Sequence, residues 1–329
     1  MAVAMTLRED DLNSPEEREK HRIAVIGCGR IGLATACLFS EANFRVVCFN
    51  PDPYLTNQIN EGISVFDESE LDKMLKKNLI EGRLKATRDL KEAVSKSDIL
   101  FLMAKIPVDG KKRPIYSNLE ETCKEIGLNL QPGSLIIVQS TLAPSITEDL
   151  IIETLEKSSG LEAGVDFGLV YSPVKAPLGA AIKYLREHAR IIAAIDEQSM
   201  RAAKALLKTV TNGELVEVSN IRTAEAAAVF GDIYKDVCIA LSNELASFCE
   251  KARIDYVEVL KAANKQSNCH LSKPGLEGGE TTETPYYLMA EAENVGIKLR
   301  ITALARKMNN EVSRYASVSY THLTLPTKA

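Results

Sequence analysis

RIAVIGCGRIG, residues 22–32, decides how the rest of the chain is read. Its first six residues are a short apolar run with β-branched members. Helix-like sequence follows from Ile31 to Ala42, and FRVVCF (44–49) makes a second apolar run. A strand, a helix and a strand at this spacing form the βαβ unit of a parallel sheet. The intervening turn carries Gly27, Gly29 and Gly32, each with a separate task. Gly27 permits the tight turn, Gly29 lets backbone amides approach a pyrophosphate, and Gly32 lets the helix lie close to the sheet. The helix start at Arg30 and Ile31 presents amides and partial positive charge to the phosphates. Three glycines alone are a weak signal, and it is their place between a strand and a helix that points to a dinucleotide.

The end of the second strand usually carries an acid for the adenosine ribose. Here it carries Asn50, then Pro51 and Asp52. Asn50 and Asp52 can both bond a ribose hydroxyl. No arginine follows at once to take a 2′-phosphate, so NAD is favoured over NADP.

Apolar runs at 97–104, 134–141, 167–173, 190–195 and 214–219 alternate with helical sequence. The fold class is therefore α/β, a doubly wound parallel sheet of Rossmann type. Ligands of such sheets lie beyond the carboxyl ends of strands. Ser140 and Thr141 fall at one such end and are cofactor-side candidates; a hydroxyl capping a turn is the competing reading of Thr141. Ser145 with Glu148 forms a capping-box pattern that predicts a helix through about Lys157.

From Thr223 the pattern takes helical period. Phe230, Ile233, Val237, Ala240, Leu241, Leu245 and Phe248 form an apolar stripe along 223–252, expected as core or as the interface of a homodimer. The domains read as a polar lead (1–21), a dinucleotide-binding domain (22–219), a helical central domain (220–317) and a tail (318–329). The tail, VSYTHLTLPTKA, shares no periodicity with what precedes it and resembles translated adapter sequence. The chain is accordingly expected to be truncated near Ser317.

With 329 residues, 45% apolar and 26% charged, the chain has material for two domains. Its net charge of −5 and lack of a basic block argue against nucleic acid and anionic membranes as partners. No apolar run reaches the roughly 18 residues of a membrane span. The N-terminus lacks the apolar core of a signal peptide. Seven cysteines, without a CxxC, read as reduced buried thiols of a cytoplasmic protein. Four scattered histidines give no metal-ligand spacing.

One loop raises a question of chemistry. PGLEGGETTETPYYL (274–288) has a glycine-rich frame suited to close ligand approach. Its middle holds Glu280 and neither thiol nor histidine.

These stretches together resemble the UDP-glucose/GDP-mannose dehydrogenase family, in particular its UDP-N-acetylmannosamine and UDP-N-acetylglucosamine 6-dehydrogenase branch. VIGCGRIGLATA, INEGIS, EGRLKATRDL, VQSTLAPSITEDLI, GVDFGLVYSP, RTAEAAAVFGDIYKDVCIALSNELA and PYYL occur in family order over residues 22–315. The resemblance implies an NAD cofactor, a nucleotide-sugar substrate, and a third nucleotide-binding domain that this chain lacks. It implies oxidation of a sugar C6 alcohol to a carboxylate in two hydride transfers, the second through a cysteine thioester. That cysteine follows Gly-Gly-His in the 274–288 loop; ungapped alignment puts Gly279 and Glu280 at the histidine and cysteine positions. The family's helix lysine and asparagine correspond to Ala228 and Asp232, and its Glu-Arg after the Ser-Pro strand end to Val174 and Lys175. Thr141 matches. Lys273, Pro274 and Gly275 fall on the substrate side of the loop.

Without a thiolate the covalent route is closed. Loss of one oxyanion donor typically costs about 10²–10³ in rate. One reading is an oxidoreductase making a single hydride transfer on a UDP-sugar, with Glu280 as general base at a raised pKa; a solvated loop carboxylate is the competing reading of Glu280. Its alternative is a non-catalytic homologue that binds cofactor or nucleotide sugar beside an active dehydrogenase. A third candidate is a relocated thiolate at Cys269, next to His270.

Overall fold

The computed structural model describes residues 7, 9–275 and 282–324. The chain forms two compact units, 1–106 with 115–226, and 107–114 with 227–329.

The first unit is built on one eight-stranded sheet, ordered β3-β2-β1-β4-β5-β6-β7-β8. The strands are β1 (Arg22–Ile26), β2 (Arg45–Phe49), β3 (Leu84–Thr87), β4 (Ile99–Leu102), β5 (Leu135–Val138), β6 (Gly168–Tyr171), β7 (Arg190–Ala194) and β8 (Leu215–Glu217). β4, β5 and β6 are buried at every position, which is why their sequences ILFL, LIIV and GLVY run apolar without alternation. β1 pairs in parallel with both β2 and β4, so the connections diverge at its carboxyl end. That divergence opens the crevice where such sheets bind ligands.

The flanking helices are α1 (Pro15–Arg18), α2 (Arg30–Glu41), α3 (Pro53–Asn60), α4 (Ser69–Ile80), α5 (Leu90–Val94), α6 (Ser117–Gly127), α7 (Glu153–Ser159), α8 (Ala181–Glu187) and α9 (Glu197–Lys208). α2 is the most deeply set, with every residue from Gly32 to Ser40 buried.

Three local readings of the sequence are corrected. β3 is a strand that the apolar pattern does not show; it is a four-residue edge strand in which Leu84 alone is fully buried. β7 runs antiparallel to β6, because the chain forms its loop and α8 at the carboxyl end of β6 and returns from there. Ser145 is not a helix cap, since its φ of +82° lies far from the extended backbone that a cap requires. A π-helical segment, Thr147–Ile152, opens this stretch before α7.

The polar lead carries buried apolar residues of its own. Leu7 and Leu12 join the sheet's core, and the Ser14 hydroxyl accepts from the Glu17 amide to cap α1.

α10 (Ile221–Ala252) begins in the first unit and continues through the second, which also holds α11 (Tyr256–Ala263), α12 (Thr284–Asn294) and α13 (Arg300–Thr324). Pro285 and its tyrosines form the first turn of α12 and not the end of a loop, as suits proline at a helix start. At 32 residues α10 is about 48 Å long. Its buried face in the second unit is largely polar, with Asp232, Asp236, Ser242 and Asn243. Phe230, Leu241 and Phe248 of the apolar stripe are exposed. The Arg306 guanidinium donates to the Asp236 carboxylate, and Asn309 donates to the same carboxylate at 2.9 Å. Among the described residues no helix is long and apolar enough to cross a membrane.

Candidate functional site

The glycine turn sits at the carboxyl end of β1. The amides of Gly27 and Cys28 both donate to the Phe49 carbonyl, at 3.1 and 3.2 Å, and Met103 donates to Ile26 at 2.8 Å. The turn is thus tied to β2 on one side and β4 on the other. Gly27 has φ +97°, and a Cβ there would lie 2.1 Å from the Met103 carbonyl oxygen. A Cβ on Gly32 would lie 2.5 Å from the Gly27 carbonyl oxygen. A Cβ on Gly29 would meet nothing within 4 Å. Two glycines are therefore required by packing, and the third borders open space.

Gly29 caps α2 without any side-chain hydrogen bond. The first-turn amides of Arg30, Ile31 and Gly32 have no intrahelical acceptor. Open space beside uncapped amides at a helix start is a fit for the pyrophosphate of a dinucleotide.

At the end of β2, Asn50 is engaged at both ends of its amide. It donates to the Cys28 carbonyl at 3.3 Å and accepts from the Asp52 amide at 2.9 Å. Asp52 in turn accepts from the Tyr54 amide at 2.8 Å and caps α3. Both ribose-side candidates thus also hold the local backbone. The Cys28 thiol beneath the turn is fully buried, and burial pushes its pKa well up. It is packing and not a nucleophile.

Ser140 joins two strand ends by accepting from the Ala104 amide at 2.7 Å. Thr141 follows it, half-buried. Beyond Thr141 the chain is held by Glu225, which is fully buried on α10. Its carboxylate accepts from the Ser145 amide at 2.7 Å, the Thr147 amide at 2.8 Å and the Thr147 hydroxyl at 2.6 Å. Burial pushes Glu225 up to about 7 against the pull of those three donors. Sequence reasoning missed Glu225, since its partners lie about 80 residues away.

Gln139 was missed as well, whereas Ser172 belongs to the Ser-Pro strand end that the sequence shows. They end the adjacent strands β5 and β6 and are buried, and neither side chain has a hydrogen-bond partner among the described residues. Buried polar atoms of this kind call for a water or a ligand group.

In the second unit the substrate-side candidates share one restrained segment. Asn264 pairs with both backbone groups of Leu271, at 2.8 and 2.9 Å, and the Tyr256 hydroxyl donates to Ser272 at 3.2 Å. Asn243 accepts from the Gly275 amide at 2.8 Å and donates to its carbonyl at 3.0 Å. Lys273, Pro274 and Gly275 are exposed between these anchors, and Asp232 is buried on α10. Glu280 lies outside the described residues. No hydrogen bond joins Cys269 to His270, which is exposed.

Residues 21–211 match the NAD binding domain of the UDP-glucose/GDP-mannose dehydrogenase family, and residues 222–311 match its central domain. A UDP-N-acetyl-D-mannosamine dehydrogenase of Pyrococcus horikoshii is 31% identical over 90% of this chain and 70% of its own. A UDP-N-acetyl-D-glucosamine 6-dehydrogenase of Pseudomonas aeruginosa is 30% identical over 89% of this chain and 68% of its own. The solved structure of a Pyrococcus horikoshii UDP-D-ManNAc dehydrogenase superposes with a TM-score of 0.84 at 29% identity, covering 90% of this chain and 70% of that one.

Proposed function

The chain belongs to the UDP-glucose/GDP-mannose dehydrogenase family, and from that premise we propose an NAD-dependent oxidoreductase that acts on the CH–OH group of a UDP-sugar by a single hydride transfer. The observation that carries the reading is the 27–32 turn, where Gly27 and Gly32 are sterically fixed and Gly29 opens onto uncapped helix amides. Bound nicotinamide supplies the hydride acceptor. The protein's own groups bind and orient. The amides of Arg30, Ile31 and Gly32 take the pyrophosphate, Asn50 and Asp52 border the ribose, and Ser140 with Thr141 lies at the neighbouring strand ends. Lys273, Pro274 and Gly275 face the sugar nucleotide. Glu280 takes the substrate hydroxyl proton, and Asp232 provides a buried polar group on α10. With glutamate at position 280 there is no thiolate to continue to the acid.

A second reading, a non-catalytic homologue paired with an active dehydrogenase, is supported by Val174, Ala228 and Asp232 at the positions the resemblance assigns to catalytic groups. The exposed Phe230, Tyr234, Leu241 and Phe248, spaced along one side of α10, support self-association of this chain.

The test is NAD⁺ reduction over a panel of UDP-sugars, with products identified by mass spectrometry. One NADH per sugar, reduced in Glu280→Gln, is the expected result. Two NADH per sugar with release of a uronic acid would overturn the single-transfer reading. Binding without turnover, together with co-purification of a cysteine-bearing dehydrogenase, would favour the second.

A further inference from the structure

We propose that the Arg30 side chain joins the cofactor's pyrophosphate to the loop after β6, so that dinucleotide binding and ordering of residues 174–181 are one event. The inference rests on the NAD reading of the 27–32 turn and adds a role for a side chain where that reading uses only backbone.

Arg30 is the first residue of α2, so its own amide belongs to the anion seat. Its side chain crosses to the loop, where Nη1 donates to the Pro177 carbonyl at 2.7 Å and Nη2 to the Ala176 carbonyl at 2.5 Å. Both acceptors are neutral, and among the described residues Arg30 has no carboxylate partner. A guanidinium has five N–H donors in a rigid fork. Two are engaged here, and three remain for an anion. Carbonyls that orient a guanidinium without neutralising it leave its charge for a ligand, and phosphate is the anion that such a fork matches.

The loop is also tied at each end, and Lys175 within it has a partner of its own. The Val174 amide donates to the Gln139 carbonyl at 3.3 Å, and the Ala181 amide donates to the Glu68 carboxylate. Between them Pro177, Leu178 and Gly179 are exposed, with Leu178 at 88%. Arg30 holds Ala176 and Pro177, in the middle of the loop, by their carbonyls. A pyrophosphate accepting from the remaining donors fixes the guanidinium, and the guanidinium fixes Ala176 and Pro177.

The experiment compares wild type, Arg30→Ala and Arg30→Lys in the full chain. NADH affinity is read by fluorescence titration, and hydrogen–deuterium exchange of the 174–181 amides is read with and without saturating NAD⁺. Thermal melting checks that each variant folds, and Arg30→Lys serves where Arg30→Ala does not. In wild type, NAD⁺ slows exchange in 174–181. Arg30→Ala binds NADH about tenfold more weakly or worse, and its loop is not protected by saturating NAD⁺. Arg30→Lys retains part of the affinity through its charge and loses the protection, because an ammonium lacks the fork. A folded Arg30→Ala or Arg30→Lys whose loop NAD⁺ protects as in wild type overturns the proposal. So does wild-type NADH affinity in Arg30→Ala. A wild type that binds no NADH defeats the cofactor reading itself, which is a different result.

Discussion

Glu225 and Thr147 stand 78 residues apart and share two hydrogen bonds, from the Thr147 amide at 2.8 Å and its hydroxyl at 2.6 Å to one carboxylate oxygen. The other oxygen takes the Ser145 amide. A side chain of α10 thereby satisfies the opening donors of the segment that follows Thr141, as a local cap would.

Glu225→Ala leaves the two buried donors of Thr147 and the half-buried Ser145 amide without an acceptor and is expected to destabilise the fold by about 3–5 kcal/mol. Glu225→Gln keeps the shape and should cost less. The pH dependence has a definite sign. Burial raises Glu225 from 4.5 to about 7, so the folded state holds a proton that the unfolded state has released. Stability therefore falls as pH rises from about 4.5 to about 7 and levels above that, and Glu225→Gln removes this component. Urea denaturation across that range measures both, and an unchanged slope in Glu225→Gln would refute the assignment.

The three glycines of the turn should separate cleanly. Gly29→Ala is expected to melt with wild-type stability and to lose dinucleotide binding, since its Cβ enters only the open space. Gly27→Ala and Gly32→Ala should lose stability as well, because their Cβ atoms meet backbone carbonyls at 2.1 and 2.5 Å. Paired melting and NADH titration check this, and NADH affinity retained in Gly29→Ala would contradict it.

His21 gives a second pH signature. It lies 3.4 Å from the Asp98 carboxylate and 3.6 Å from Asp11. Its pKa is raised, chiefly by the hydrogen bond to Asp98. The stabilisation is fully present below about 6.5 and is lost as pH rises through the folded-state value. Asp98→Asn should remove that loss, read as the difference in denaturation midpoint between pH 6 and pH 8.5.

In the second unit, Arg306→Met leaves the Asp236 carboxylate buried without its cation. A loss of about 3–5 kcal/mol is expected. Combining it with Asp236→Leu should recover much of that loss, because the double variant buries no charge. Denaturation of both variants decides whether the pair is a stabilising contact or a compensated burden.

Phe248→Glu, with Phe230→Glu, tests self-association through the exposed side of α10. The expected result is a shift to a lower sedimentation coefficient with an unchanged circular dichroism spectrum. Wild type sedimenting as a monomer would remove the premise.

The sequence by itself determined the central strands of the sheet and its glycine turn. Strands such as ILFL and LIIV are buried on both faces, so their apolar character is continuous and local. Gly27 and Gly32 are fixed by contacts with Met103 and with the turn itself, and the constraint appears as a spacing within one short stretch. The long helix was also legible, because its apolar period persists from Phe230 to Phe248, and the helix itself spans 32 residues.

Tertiary structure decided what local pattern could not. Ser145 and Glu148 spell a capping box, yet the cap comes from Glu225, whose partners are brought near only by folding. The apolar stripe of α10 suggests a buried face, yet the second unit buries Asp236 and Asn243, because Arg306, Asn309 and the Gly275 backbone supply their partners. Asn50 and Arg30 are legible as members of the dinucleotide turn, but their grip on Cys28 and on Ala176 with Pro177 is not. A hydrogen bond depends on where two atoms meet in space, and residues 146 apart carry no mark of each other in the chain.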